Sequence, residues 1–387
     1  MTYRRFRDDD SDALAAATAL AFGFPVDDTR KWWDTAGRDH LRVWDDGQLR
    51  GGLLDIPMGM FVGGRTVPLH GVAGVVVTPE SRGRGIGRRM MSAYLEELHS
   101  QGVPLSALYA STRSLYRAVG YELAGGYHRA TLATRVLREA GQALLGWEPL
   151  SKEGRAEVVG AYRALTRHRT GHLDRGPYVW ARVWSHRGQP NHAWVLRGTE
   201  GVRAWVVVRQ ERADDDWLHL VVVDHGAADA EALSAVSSFL GGFASMARTT
   251  QLHGGPHVPL LDRLPENDAR IGLHEPWMLR VVDVEAALAA RGWPTGWQEE
   301  LSLRIDDPVL PTNAGPWVVR IQGGQAVVRR GGSGEVALHI RALAALFTGY
   351  HHPVALRDQG LLQGAGEALA SLAAAFAGPA PGMPDFF

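Results

Sequence analysis

The sequence predicts a mixed fold of three segments, α/β in the first two and α+β in the third. Three observations lead there. A β-branched apolar run, a glycine-rich turn, an amphipathic helix and a second apolar run follow one another between Leu69 and Tyr109. A similar strand-strand-strand-helix order returns between His192 and Met246 without the glycines. Then the breaker cluster Arg291-Gly292-Trp293-Pro294 introduces four short strands and two helices, the pattern of a separate α+β unit. These signals place the segments at 1–145, 146–292 and 293–387.

In the first segment Asp8, Asp9 and Asp10 stand where N-terminal caps are wanted, and the alanine-rich stretch Ser11 to Phe22 predicts the first helix. An irregular stretch bearing Asp27, Asp28, Trp32, Trp33 and Asp34 is expected after it. Leu41 to Trp44, Leu53 to Ile56 and Met60 to Val62 read as short strands divided by Gly and Asp turns, and Leu69 to Val77 as a buried central strand. From Gly85 to about His99, Ile86, Met90, Tyr94 and Leu98 recur at four-residue steps, which gives a helix one apolar stripe toward the sheet. Pro104 to Tyr109 completes a strand, crossover helix and parallel strand.

The second segment opens with a helix. It continues with strands at His192 to Leu196, Val202 to Arg209 and Trp217 to Val223 and a helix from Ala228 to Met246. In the third, strands are expected at Leu301 to Ile305, Trp317 to Ile321, Gln325 to Arg329 and Glu335 to Ile340, and helices at Ala342 to Tyr350 and Gly364 to Ala377.

Composition narrows the function. Hydrophobic residues make up 45% of the 387 and charged ones 21%, enough for a packed core and too ordinary for wholesale disorder. Lys+Arg total 41 against 42 Asp+Glu, so no global positive field exists to hold a nucleic acid or an anionic membrane. Only Lys31 and Lys152 are lysines. Cysteine is absent, which excludes disulfides, thiolate metal sites and a cysteine nucleophile. A charged start from Met1 to Asp10 and the lack of a long apolar run predict neither a signal peptide nor a spanning helix, and hence a cytoplasmic enzyme or binding protein.

The chemistry concentrates between the central strand and its helix, in Val75-Val76-Val77-Thr78-Pro79-Glu80-Ser81-Arg82-Gly83-Arg84-Gly85-Ile86-Gly87-Arg88. Glycines at a helix N-terminus offer what a pyrophosphate needs: bare backbone N–H groups, no Cβ in the way and the positive end of the helix dipole. Arginines add charge-assisted donors. In a chain with 46 glycines the pattern Arg-x-x-Gly-x-Gly alone is unspecific, and its place between strand and helix is what separates it from an ordinary turn.

This block resembles the coenzyme-A loop of the Gcn5-related N-acetyltransferase superfamily, and Ser114-Leu115-Tyr116-Arg117-Ala118-Val119-Gly120-Tyr121 is similar to that superfamily's later motif. Gly171-His172-Leu173-Asp174-Arg175 with Trp180, Trp277-Met278-Leu279-Arg280-Val281-Val282-Asp283-Val284 with Ala286-Ala287-Leu288 and Arg291-Gly292, and the terminal Asp385-Phe386-Phe387 resemble the enhanced intracellular survival (Eis) family. The resemblance covers essentially the whole chain. It implies two tandem acetyltransferase-like (GNAT) domains, the second lacking the loop, followed by a C-terminal sterol-carrier-protein-like α+β domain, and it implies a homohexamer. The implied activity is acetyl-CoA-dependent acetylation of a primary amine, small-molecule or peptide, by direct transfer in a ternary complex and without a metal.

Residue by residue, the resemblance implies that backbone amides of Val75 and Val77, with Val76 between them, hold the pantetheine arm and polarise the thioester. Arg82, Gly83, Arg84, Gly85, Ile86, Gly87 and Arg88 would cradle the pyrophosphate, with Ser111 and Thr112 on the same cofactor side. Tyr116 is the implied general acid, and Tyr121 more naturally packs. The implied base is the C-terminal carboxylate of Phe387, ionised at neutral pH since such groups titrate near ~3.5; a frayed tail is the plain alternative. Asp27, Asp28, Trp32, Trp33 and Tyr109 are the expected amine-binding groups, carboxylates for charge and rings for the cation. The implied acceptors are aminoglycosides, polyamines or lysine-type amines; aminoglycoside-modifying members carry a histidine at the place of Tyr109, an acidic residue at that of Thr112 and a glutamate at that of Phe386, so this chain has fewer negative charges there, which bears on aminoglycoside specificity and not on amine acetylation. His168 and His172 lack a third ligand, His351-His352 reads as a turn, and Ala368 to Ala377 as a packed helix. A non-catalytic CoA- or lipid-binding carrier or sensor is the alternative from another class.

Overall fold

The structure is a computed structural model that describes residues 2–212 and 217–387. The first segment runs β1 (Thr2–Arg5), α1 (Ser11–Phe22), α2 (Val26–Ala36), β2 (Leu41–Asp45), β3 (Leu49–Val62), β4 (Arg65–Val77), α3 (Ile86–Ser100), β5 (Leu105–Tyr109), α4 (Arg113–Arg117) and β6 (Glu122–Ala133). Helix α1 stops at Gly23, whose left-handed backbone returns its N–H to the Ala19 carbonyl, as a C-terminal glycine should.

Three expectations need correction. The stretch after α1 is helical, not irregular: Asp27 and Asp28 lie in the first turn of α2, where the helix dipole favours them, and pair with Arg30 and Lys31 one turn on. The two short strands expected at 53–62 are one, β3, because β4 supplies partners from Gly51 to Val62 and pairing overrides the breaking tendency of Gly52, Pro57 and Gly59. Asp10 does not cap α1 through its side chain. It accepts from the Arg7 N–H and pairs with Arg4.

Apart from the short pair Ser185–His186 and Gln189–Pro190, the described strands of the first two segments share one sheet. Its order is β1, β2, β3, β4, β5, then Arg270–Val281, β6, Ala247–Gly254, Leu218–Ala227, Gly201–Arg212, His192–Gly198 and Trp147–Pro149. Arg270–Val281 is therefore wedged between β5 and β6, antiparallel to both, so each segment completes the other's sheet. The third segment has its own five-stranded sheet and the helices Ile340–Phe347, Pro353–Asp358 and Gly366–Phe376. Pro353–Asp358 follows directly on the expected turn, the Val354 N–H donating to the His352 imidazole. A fully buried ion pair, Arg280 to Asp307 at 2.7 Å, ties the second segment to the third. Among the described residues no helix is long and apolar enough to cross a membrane.

Candidate active site

A fork in the sheet marks the site. Parallel strands β4 and β5 pair at Leu69 with Leu105, His70 with Ser106 and Gly71 with Ala107, and not beyond. Past Gly71 the edge of β4 toward β5 is therefore free of ladder bonds, leaving backbone donors and acceptors for a ligand. On its other edge β4 carries a bulge, since Gly52 faces Val76 but Leu54 faces Ala73. Gly74 takes φ 58 within it, which re-aims the residues that follow, Val75 to Val77.

The chain leaves β4 through a tight turn at Pro79–Ser81, fixed by a 3.0 Å bond between the Thr78 and Ser81 hydroxyls. Arg82 returns its Nε–H to the Val77 carbonyl. Gly83 and Gly85 then adopt φ 73 and 71, and a Cβ built on either would meet no atom within 4 Å. These glycines serve backbone conformation and leave open space above it. Helix α3 starts with no capping side chain and no acidic residue in its first turn, Ile86 is buried beneath it, and Arg82, Arg84 and Arg88 are exposed. A bare helix N-terminus ringed by arginines fits a pyrophosphate. The corresponding helix of the second segment, Ala230–Gly241, differs: the Asp229 carboxylate occupies its N-terminus, accepting from the Ala232 N–H at 2.8 Å.

Tyr116 is at the end of α4, buried with Val72, Ile86 and Leu108, its ring edge-on to Tyr121 at 6.0 Å. Burial pushes its pKa up to about 12, and no described residue hydrogen-bonds its hydroxyl. Tyr121 does pack: it is fully buried and donates to the Ser106 hydroxyl at 2.8 Å. Ser111 and Thr112 are exposed in the turn before α4.

The C-terminal tail is ordered, not frayed. Gly382 donates to the Thr170 carbonyl and Met383 to that of Gly126, and Met383, Asp385 and Phe387 are buried. The Phe387 ring lies directly on Gly71 of β4, where a Cβ would come within 2.6 Å of it. The last residue thus stands at the vertex of the fork. Tyr109 helps to hold it there, its hydroxyl donating to the Asp385 carbonyl at 2.7 Å and its ring packed against Phe386 and Phe387.

The expected amine-binding residues are dispersed. Asp27 and Asp28 are exposed on α2, and Trp33 is buried against Phe6. Trp32 and Tyr109 reach the fork: Tyr109 through the tail it holds, and Trp32 with its ring 3.0 Å from where a Gly74 Cβ would be and its Nε1–H donated to the Tyr178 hydroxyl at 2.7 Å. That hydroxyl also accepts from Arg182 at 2.9 Å. Tyr178, Arg182 and the tail-binding Arg175 come from the second segment and were not singled out as site residues. The one signal for them was the Gly171 to Arg175 motif with Trp180.

Two stretches match an acetyltransferase (GNAT) domain, residues 2–124 and 171–281, and residues 284–384 match a sterol carrier protein domain. An uncharacterized N-acetyltransferase of Streptomyces avermitilis is 27% identical over 377 residues, covering 89% of each chain. Among solved structures, a GCN5-related N-acetyltransferase from Anabaena variabilis is 30% identical over the whole of both chains at a TM-score of 0.95. Eis1 from Mycobacterium abscessus has the same fold over the whole of both chains at 21% identity and a TM-score of 0.79.

Proposed function

Because the chain belongs to the GCN5-related N-acetyltransferase family, with an Eis-like order of two GNAT domains and a sterol-carrier domain, we propose that it moves the acetyl group of acetyl-CoA directly onto a primary amine. The observation that supports this reading is that three things border β4: an unobstructed glycine turn after its end, a buried tyrosine packed in one cluster with its Val72, and the chain's own last residue on its Gly71.

In this reading the diphosphate rests on the N–H groups at Gly83 to Gly87 with Arg82, Arg84 and Arg88 around it. The pantetheine arm adds to the free edge of β4 as an extra strand would. Amides at Val75 and Val77 donate to the thioester carbonyl as it gains negative charge. The incoming amine loses its proton to the Phe387 carboxylate, directly or through one water, as nitrogen attacks. The C–S bond then breaks and the Tyr116 hydroxyl gives its proton to the sulfur. Burial keeps that phenol protonated at neutral pH, and a thiolate formed beside it in the same dry pocket has its own proton affinity raised, so the transfer stays close to balanced. No acyl-enzyme is needed, and the chain has no cysteine to form one. With Asp27 and Asp28 outside the fork, Trp32 and Tyr178 are the acceptor-side groups.

The assembly we propose is a homo-oligomer, a hexamer by resemblance. The exposed apolar corner of Leu20, Phe22, Phe24 and Val26 supplies a surface for it.

The reading is tested by titrating free thiol while the protein turns over acetyl-CoA with polyamines, aminoglycosides, aromatic amines and lysine peptides. Amine-dependent thiol release is expected with at least one class. Release no faster than hydrolysis across the whole panel would refute it.

A further inference from the structure

The second segment contains a fork of its own. Leu218–Ala227 runs parallel to Ala247–Gly254, paired from Leu218 to Val222 and no further, so the strands part at Val223 and Asp224 as β4 and β5 part at Gly71. This fork is filled by the protein itself. Gly382 lies so close to Gly255 that a Cβ on it would come within 2.2 Å of the Gly255 Cα, and Pro384 closes the pocket formed by Asp224, His253, Gly254 and Gly255.

Arg175 holds the tail in that fork. It is fully buried, with Nη1 and Nη2 on the two carboxylate oxygens of Asp224 at 2.9 and 3.0 Å and Nε on Asp385 at 3.0 Å. Its guanidinium face rests on the ring of Tyr162, 4.0 Å from the centroid, and on that of Trp180 at 4.8 Å. Trp205 donates to Asp224 and fixes the far side of the pair. The backbone is equally constrained, since a Cβ on Gly176 would strike the Pro57 carbonyl at 2.3 Å. Such a planar, bidentate, stacked arrangement fixes direction as well as charge. Asp385 is two residues from the end, so anchoring it confines the terminal carboxylate to a radius of roughly 7 Å.

We propose that Arg175 is a positioning residue for the transfer: locked by Asp224, it grips Asp385 and so sets the Phe387 carboxylate at the first fork, which makes the second acetyltransferase-like segment the clamp for the base. The proposal rests on the reading of that carboxylate as the base. A shift of about 1 Å in a reacting group can lower a rate about 100-fold, so the grip has catalytic consequence.

The test is a cycle of Asp385→Ala, a chain with one glycine added after Phe387, and the two combined, each read by kcat, KM for acetyl-CoA and thermal midpoint. Asp385→Ala leaves Arg175 paired with Asp224, so the fold is expected to persist, with kcat down roughly 10- to 100-fold and KM within about twofold. The combination is expected to be no slower than the worse single change, because both act through one carboxylate. Losses that multiply would show that Asp385 acts some other way and overturn the proposal. So would full turnover of Asp385→Ala beside an inactive extended chain, with the base assignment left standing. Full turnover of the extended chain would instead overturn the base assignment itself. Should Asp385→Ala melt early, Asp385→Asn carries the same cycle: its amide oxygen still accepts from Arg175, so a loss of about 3- to 10-fold that does not multiply is expected, and no loss or a multiplying one counts against the clamp.

Discussion

Tyr116 and Tyr121 are five residues apart with opposite fates. Tyr121 gives its hydroxyl to Ser106, while no described residue hydrogen-bonds that of Tyr116. Replacing Tyr116 by Phe should lower kcat about 100-fold or more and leave KM for acetyl-CoA within about twofold, which steady-state kinetics would check. With its pKa pushed up to about 12, Tyr116 should impose no alkaline loss of rate below about pH 10. A tyrosine-dependent fall between pH 8 and 9, removed by Tyr116→Phe, would contradict the burial that sets this value. At this scale the sequence was legible where a local motif carried the residue, as for Tyr116. It was not legible for Tyr178 and Arg175, whose partners Trp32, Asp224 and Asp385 lie far away in the chain and meet only after folding. Asp27 and Asp28 misled for a related reason: their type suited an amine, but their place in a first helical turn points them to solvent.

Among elements, the β4 to α3 connection was the most legible, because an apolar strand before its glycines and an apolar stripe after them agree on one strand-to-helix turn. Its glycines are not equivalent. Gly83 and Gly85 hold left-handed backbone, whereas a Cβ on Gly87 would find only ordinary contacts at 3.5 Å to Leu115. Gly85→Ala should therefore strain the turn by about 1 kcal/mol or more and weaken CoA binding about tenfold, while Gly87→Ala should leave the thermal midpoint nearly unchanged. Calorimetric titration with CoA and thermal melts would check both, and equal stability losses at the two positions would contradict the account of the turn. Helix α2 and the continuity of β3 were hidden, since tryptophans and glycines obey tertiary partners more than their own propensities.

Over the whole molecule the three segments are joined by buried charge as well as apolar packing. Arg280 and Asp307 are both fully buried, and Arg280→Leu would strand the carboxylate, with an expected loss of about 3 to 5 kcal/mol in denaturant unfolding. A loss under about 1 kcal/mol would contradict the importance of this pair. Histidines beside the tail add a pH dependence. Burial, reinforced by nearby arginines, holds His225 and His253 down at about 4. Imidazoles of the unfolded chain take protons near ~6.5, so the stability these two contribute is complete above that pH and lost as pH falls toward 4, at up to about 1.4 kcal/mol per pH unit each. Denaturant midpoints that stay flat from pH 7 to 5 would contradict it. The order of the three segments could be read from the sequence, whereas the sharing of one sheet could not, because nothing local marks Arg270–Val281 as the strand that enters between β5 and β6.

The central claim, that the chain's final carboxylate is the base, is tested most directly by a semisynthetic protein whose Phe387 ends in a carboxamide. Length, ring and tail contacts remain, and only the negative charge is lost. The account predicts a fall in kcat of at least about 100-fold with the CoA affinity unchanged; a carboxamide enzyme that turns over at the normal rate would contradict it.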